Sequence, residues 1–248
     1  MSDFETVYSE RLLEIESYLD FIAGVEKATQ GGVPRIGGND GELITTEQKK
    51  IIYSSVYLLL YNLIESTITG CIEEVCEAVV AHKSTPEALS EKMLGEWVRT
   101  VAGTHKDSAY DIRWKNVLKL FEWYSPPEPV TTFSVERGGG GNWDHKAIEK
   151  IVDRLGLTWQ MSDPTLKNVL VHWKDEMGAL SWVKSLRNNL AHGEISFVEC
   201  AQNVTAQELR DLTQTIAAYL SEIIDLFKKS VEQFEFLNPS SRPARIAP

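Results

Sequence analysis

Apolar residues recur at three- and four-residue steps along nearly the whole chain. Phe4, Val7, Tyr8, Leu12, Ile15, Leu19 and Ile22 form one apolar stripe, which predicts a first helix. Residues 29–44 hold five glycines and one proline, so a mobile loop is expected there. Thr45-x-x-Gln48 has the form of a capping box, and the helix it opens is expected over about 46–82. The centre of that helix is apolar almost all round (Val56 to Leu60, Leu63, Ile64, Ile68). Such a helix belongs in the middle of a bundle.

Further on, Ser84-Thr85-Pro86-Glu87 is a helix start signal, predicting a helix over about 86–101 and another over about 107–122. Residues 125–142 break the period with Pro126, Pro127 and Pro129, a β-prone piece from Val130 to Val135, and Gly138 to Gly141. They are expected to form a flexible insertion within one domain. Asp144 can cap a helix to Leu155. Asp163-Pro164 opens a stretch reaching Ala191, with Gly178 as a break point. Thr205-x-x-Glu208 is a second capping box, for a helix reaching Phe236. The expected fold is all-α: an antiparallel helical bundle with long central helices, one domain over 1–237, and a loose tail over 238–248.

Composition narrows the class. Of 248 residues 43% are hydrophobic, which excludes a disordered chain. Lys and Arg total 25 against 36 Asp and Glu, a formal net charge of −11. That balance argues against a broad basic surface tracking nucleic acid, and leaves room for a local anion site. The most apolar stretch, Tyr57 to Ile64, is interrupted by Asn62 and stopped by Glu65, short of the roughly 18 residues of a membrane span. The N-terminal stretch is acidic and amphipathic, unlike a signal peptide. Cys71, Cys76 and Cys200 form no C-x-x-C pair and leave an odd thiol, which fits a reducing compartment. A cytoplasmic location is therefore expected, and the sequon at Asn203 would go unused.

The chain has no G-x-x-x-x-G-K-[ST], H-E-x-x-H or G-x-S-x-G signature. Gly138 to Gly141 lacks the following Lys-Ser/Thr of a phosphate loop. His82, His105, His145, His172 and His192 show no ligand spacing, so neither a metal site nor a cofactor is expected. One stretch stands out: Ser185-Leu186-Arg187-Asn188-Asn189-Leu190-Ala191-His192-Gly193-Glu194. Arg187 and His192 form R-x4-H at a helix end, with Gly193 placed to terminate the helix in a left-handed conformation. Five residues of ideal helix set two side chains about 140° and 7.5 Å apart. Unwinding at Ala191–Gly193 would free His192 to swing toward Arg187. Asn188 lies one turn before His192 on the same face. An Arg fork can clamp a phosphate, and an imidazole can move protons near neutrality, so the pair suits RNA cleavage without a metal. The spacing alone is common: about 0.2 chance matches are expected at any one spacing, and Arg99 and His105 also fit a permissive search. A surface Arg and a His favoured by the helix dipole remain the plainer reading of the spacing.

The wider context adds to it. Arg187-Asn188-Asn189-Leu190-Ala191-His192-Gly193 resembles the signature of the HEPN superfamily, all-helical domains with an Arg-x4–6-His motif. Tyr57 to Thr67 on the central helix and Ser196-Phe197-Val198-Glu199 resemble the HEPN-like nucleases of prokaryotic conflict systems. The resemblance implies a metal-independent endoribonuclease, a toxin or anti-phage effector, leaving 2′,3′-cyclic phosphate and 5′-OH ends. It implies a homodimer whose two motifs face one cleft, and leaves room for an antitoxin or defence-system partner. In that reading Arg187 binds and polarises the scissile phosphate, His192 serves acid/base catalysis or hydrogen-bonds the phosphate, and Asn188 positions both. Asn62 and Glu65 are polar residues on an apolar helix that need buried partners, with Arg187 the natural partner of Glu65. Lys184 would add positive charge to the dimer cleft. Trp159, Trp173 and Trp182 could stack bases or simply pack. The alternatives are a HEPN module without catalysis that binds a nucleotide or a partner, and a helical scaffold in which the Arg/His spacing is coincidental.

Overall fold

A computed structural model describes residues 3–30, 32–36, 41–102, 128–136 and 142–243. The fold is all-α, as expected, apart from one small ribbon. Helix α1 spans Asp3–Gln30. Strands β1 (Arg35–Ile36) and β2 (Glu42–Leu43) follow, and then α2 (Thr46–Ala81). Next come α3 (Glu91–Ala102), α4 (His145–Leu155), α5 (Asp163–Leu170), α6 (Ala179–His192), the single turn α7 (Phe197–Cys200), and α8 (Ala206–Glu232).

The chain forms two compact units, each drawn from three stretches. The first comprises Met1–Thr67, Trp143–His145 and Met161–Glu222. Its core holds the predicted α1 stripe at Ile15, Leu19 and Ile22, joined by Val56, Tyr57, Leu60 and Tyr61 of α2 and by Leu180, Val183 and Leu186 of α6. Hydrogen bonds fix how the helices meet. Tyr8 Oη donates to Ala217 O (3.0 Å) and Tyr18 Oη to Ile52 O (3.1 Å). Ser54 Oγ donates to Phe197 O, tying α2 to the start of α7. An 18-residue window of α2 reaches a mean hydropathy of 1.3, enough by length and composition to cross a membrane. Over half of it (56%) is buried inside the protein, as suits a bundle's central helix.

The second unit comprises Ile68–Asn142, Lys146–Gln160 and Ile223–Pro248. It packs Met93 and Trp97 of α3, Ile148, Ile151, Val152 and Leu155 of α4, and Phe236 and Leu237. Glu96, only 2% exposed, accepts two bonds from the Arg154 guanidinium, at 2.8 and 2.6 Å. A buried carboxylate needs such a partner, since removing one side leaves an uncompensated charge.

Several expectations shift. The 29–44 loop contains an antiparallel ribbon, Arg35 opposite Leu43 and Ile36 opposite Glu42. The helix expected from Pro86 is only a 3₁₀ turn, Pro86–Ala88. Thr85 makes no side-chain cap, and buried Leu89 is extended and bridges Leu237, so α3 starts two residues later. The stretch from Asp163 splits into α5 and α6 around a tight turn at 171–178. The last helix stops at Glu232, before a turn that sets Phe234 at φ 53°.

Residues 128–136 are packed rather than flexible. Val130, Phe133 and Val135 are buried, the Val130 N–H donates to Ser84 O (2.8 Å), and Ser134 O accepts from the Thr100 hydroxyl (2.6 Å). Asn238, expected in a loose tail, is pinned by bonds to Glu87 O and Ala88 O, each 2.9 Å. The helix expected over 107–122, His105, Gly138 to Gly141 and the end of the tail lie outside the described residues.

Candidate functional site

Helix α6 carries the R-x4-H motif, and glycine fixes both its ends. A Cβ on Gly178, the N-cap, would sit 2.5 Å from the carbonyl oxygen of Val169, so no side chain fits there. At the other end Gly193 is left-handed (φ 71°, ψ 20°), as predicted. Its N–H bonds Leu190 O at 3.3 Å, and the Glu194 N–H bonds Asn189 O at 2.8 Å. The helix therefore runs through His192 and unwinds only after it. The expected swing of His192 toward Arg187 does not occur, because the left-handed residue is Gly193 and the helical separation persists through His192. His192 is exposed.

Arg187 sits in a small polar cluster with α2. Its guanidinium lies over the Tyr61 ring, 4.4 Å from the centroid. One Nη donates to Asn188 Oδ1 at 2.9 Å, and the other stands 3.8 Å from Glu65 Oε2. The Arg187 side chain is 29% exposed and that of Glu65 39%. A stacked, partly buried pairing of this kind contributes about 1 kcal/mol, enough to hold the fork in place. At 3.8 Å the Glu65 contact is loose, so an incoming phosphate could compete with it. Burial pushes the Tyr61 phenol above its ordinary range, while the Trp143 N–H and the Arg187 charge pull it back. The Trp143 backbone N–H donates to Tyr61 Oη at 3.3 Å, anchoring the ring beneath the guanidinium.

The structure thus groups Arg187, Asn188 and Glu65. It places the other candidates differently. Asn62 is exposed, one position off the stripe that Tyr61 and Glu65 share, so its amide needs no buried partner. Its backbone carbonyl accepts from Arg11 at 3.3 Å. The Lys184 ammonium is held by the Asp144 carboxylate, which neutralises the charge expected to face a cleft. Asn189, with its amide nitrogen turned toward two acceptors, bonds Glu194 Oε2 (3.1 Å) and Ser185 O (3.2 Å), a local brace for the helix end. Sequence reasoning missed Tyr61 as the platform. The available signal was its place one turn before Glu65 on the same helical face.

A partly exposed guanidinium fork and an exposed imidazole at one helix end can bind a phosphate and exchange protons with groups beside it. Comparisons with known proteins bear on the class. No curated protein and no solved structure gives a significant match to the chain. One family model, described as HEPN_MAE_28990-like HEPN, matches residues 4–236, from the start of α1 past the end of α8. With that match over nearly its whole length and an all-α fold carrying the motif on α6, the chain belongs to this HEPN family.

Proposed function

We propose that the protein is a metal-independent endoribonuclease, acting as a toxin or defence effector, with Arg187, Asn188 and His192 at its centre. The observation that carries this reading is the Arg187 fork, braced on Tyr61 and Asn188 and 29% exposed, on the same helix end as an exposed His192. The reaction needs few parts. A ribose 2′-OH attacks the adjacent phosphorus, the P–O5′ bond breaks, and the products are a 2′,3′-cyclic phosphate and a 5′-OH. His192 takes the 2′-OH proton or returns one to the departing 5′-oxygen. Arg187 stabilises charge gathering on the phosphoryl oxygens.

Within one chain the helix sets Arg187 and His192 about 140° apart, so a single copy leaves the pair divided. A second copy related by a two-fold axis would supply the complementary residue, which supports a homodimer with a composite cleft.

Expression of the wild type, Arg187→Ala and His192→Ala in the same host tests the reading. Growth arrest with breakdown of total RNA is expected for the wild type and should vanish in both variants. RNA breakdown that survives both substitutions would contradict it. A stable complex with another protein, unaffected by either substitution and without RNA loss, would favour the non-catalytic binding module.

A further inference from the structure

The first unit holds a cavity of about 330 Å³ that the cleavage chemistry does not use. That volume lies at the small end of ligand pockets, which run from about 300 to 1,000 Å³. Tyr57 of α2 and Trp182 of α6 line it, and Glu208 of α8 closes one side. His172, Trp173 and Lys174, from the turn between α5 and α6, form its rim. Tyr57 and Trp182 are 3% and 8% exposed, whereas Lys174 and His172 are exposed and Trp173 is half-buried. The Lys174 ammonium stands 6.0 Å from the Trp182 ring centroid. Glu208 is held in its cap by the Thr205 N–H and hydroxyl, at 2.8 and 3.0 Å.

The rim is built at a conformational cost. Asp175 and Glu176 are both left-handed, at φ 49° and 59°. Two such residues in succession make the tight turn that Asn-Gly or Asp-Gly normally fills; Asp175 tolerates that region, and Glu176 in place of a glycine costs about 1 kcal/mol. The turn is closed by Trp173 N–H to Met177 O (2.7 Å) and Met177 N–H to Lys174 O (2.9 Å). The turn sets Trp173 and Lys174 at the cavity mouth, with the ammonium 6.0 Å from the Trp182 ring centroid, and strain of this kind concentrates where a ligand is held.

Position relates the cavity to the cleavage centre. Tyr57, Tyr61 and Glu65 share one stripe of α2 at four-residue steps, so the cavity wall and the Arg187 platform lie about 6 Å apart along the helix. Trp182 precedes Arg187 on α6 by about 7.5 Å along the axis and about 140° around it, so the link to the Arg187 platform runs through α2. We infer that the cavity is the base-recognition subsite of the nuclease. It takes one unpaired nucleobase against Trp173, with Lys174 on that nucleotide's phosphate, and so selects which nucleotide lies beside Arg187. A planar π surface next to an anion matches a cavity lined by the Trp173 and Trp182 indoles with an ammonium at its rim, and unpaired bases are the part of RNA that aromatic side chains read. The inference rests on the nuclease reading for the identity of its ligand.

The test has two arms. In the first, AMP, GMP, CMP and UMP are titrated into the His192→Ala protein by calorimetry. One of the four is expected to bind best, and Trp173→Ala or Lys174→Ala should each weaken it about tenfold. Trp173→Phe keeps a ring and should retain the preference. In the second arm, cleavage positions are mapped on one defined single-stranded RNA. Trp173→Ala should spread the cuts over more nucleotides, with circular dichroism and Tm confirming that the variant is folded. Equal, weak binding of all four nucleotides with an unchanged cleavage map in the variants would overturn the subsite. A wild type that cleaves no RNA, yet binds one monophosphate through Trp173, would sink the nuclease reading. It would leave the base site standing, with a free nucleotide as its ligand.

Discussion

At the residue scale, the guanidinium of Arg187 does more than carry charge. Its plane lies on Tyr61, one edge meets Asn188, and another faces Glu65. A lysine would keep the charge and lose both the fork and the stack. Arg187→Lys is therefore expected to lower kcat/KM for RNA roughly 100-fold, in the range of one lost transition-state donor, with Tm nearly unchanged. Activity within a factor of two of wild type would show that charge alone suffices. Glu199 offers a pH check on local structure. It accepts from the Ser196 N–H (2.8 Å) and hydroxyl (2.7 Å), and these bonds hold its carboxyl below the ordinary glutamate range. A lowered folded-state value means the capping box contributes above the unfolded glutamate value and is lost as pH falls through the folded one. The Ser196 amide resonance should accordingly titrate with a midpoint below that of an unperturbed glutamate. The same scale shows what sequence conveys. The Glu65–Arg187 pair was legible, because a charged residue on an apolar helix seeks a partner. Asn62 was misread, because one step along a helix turns a side chain by about 100°. The Lys184–Asp144 pair joins residues 40 apart, and no local pattern announces it.

At the element scale, the helices whose ends are set by local chemistry were the legible ones. Thr45 and Gln48 form both bonds of their capping box, at 2.8 and 3.2 Å, and Thr205 with Glu208 does the same at 2.8 and 3.2 Å. The start of α3 was not legible, because a distant strand-like pairing of Leu89 with Leu237 decides it. The end of α6 matters most for the proposed function, since it sets where His192 points. Gly193 has open space around a would-be Cβ, so a substitution there acts through backbone strain alone. Gly193→Ala should cost about 1 kcal/mol, read as a lower urea midpoint with an unchanged m-value. Gly193→Asn should cost less, since Asn tolerates the left-handed region. RNA cleavage should fall more than stability does in Gly193→Ala, because the frayed turn carries His192. An unchanged midpoint would mean the left-handed cap contributes nothing.

At the scale of the whole molecule, the net charge of −11 constrains how RNA would be held under the proposed function. An acidic surface cannot track a long strand through many phosphate contacts, so affinity should depend weakly on salt. On the proposed function, recognition would fall to a short segment: one phosphate at Arg187 and one base in the neighbouring cavity. The helical class and the motif helix could be read from periodicity. The cavity could not, since its rim depends on a tight turn at Asp175 and Glu176 in which a glutamate stands where glycine would mark the turn. The central claim is that Arg187 and His192 cleave RNA without a metal. Purified protein incubated with single-stranded RNA in excess EDTA, with the product ends analysed chemically, tests it most directly. The account predicts 2′,3′-cyclic phosphate and 5′-OH ends from the wild type and no products from Arg187→Ala or His192→Ala. Cleavage abolished by EDTA, or 5′-phosphate ends, or products persisting in both variants, would contradict it.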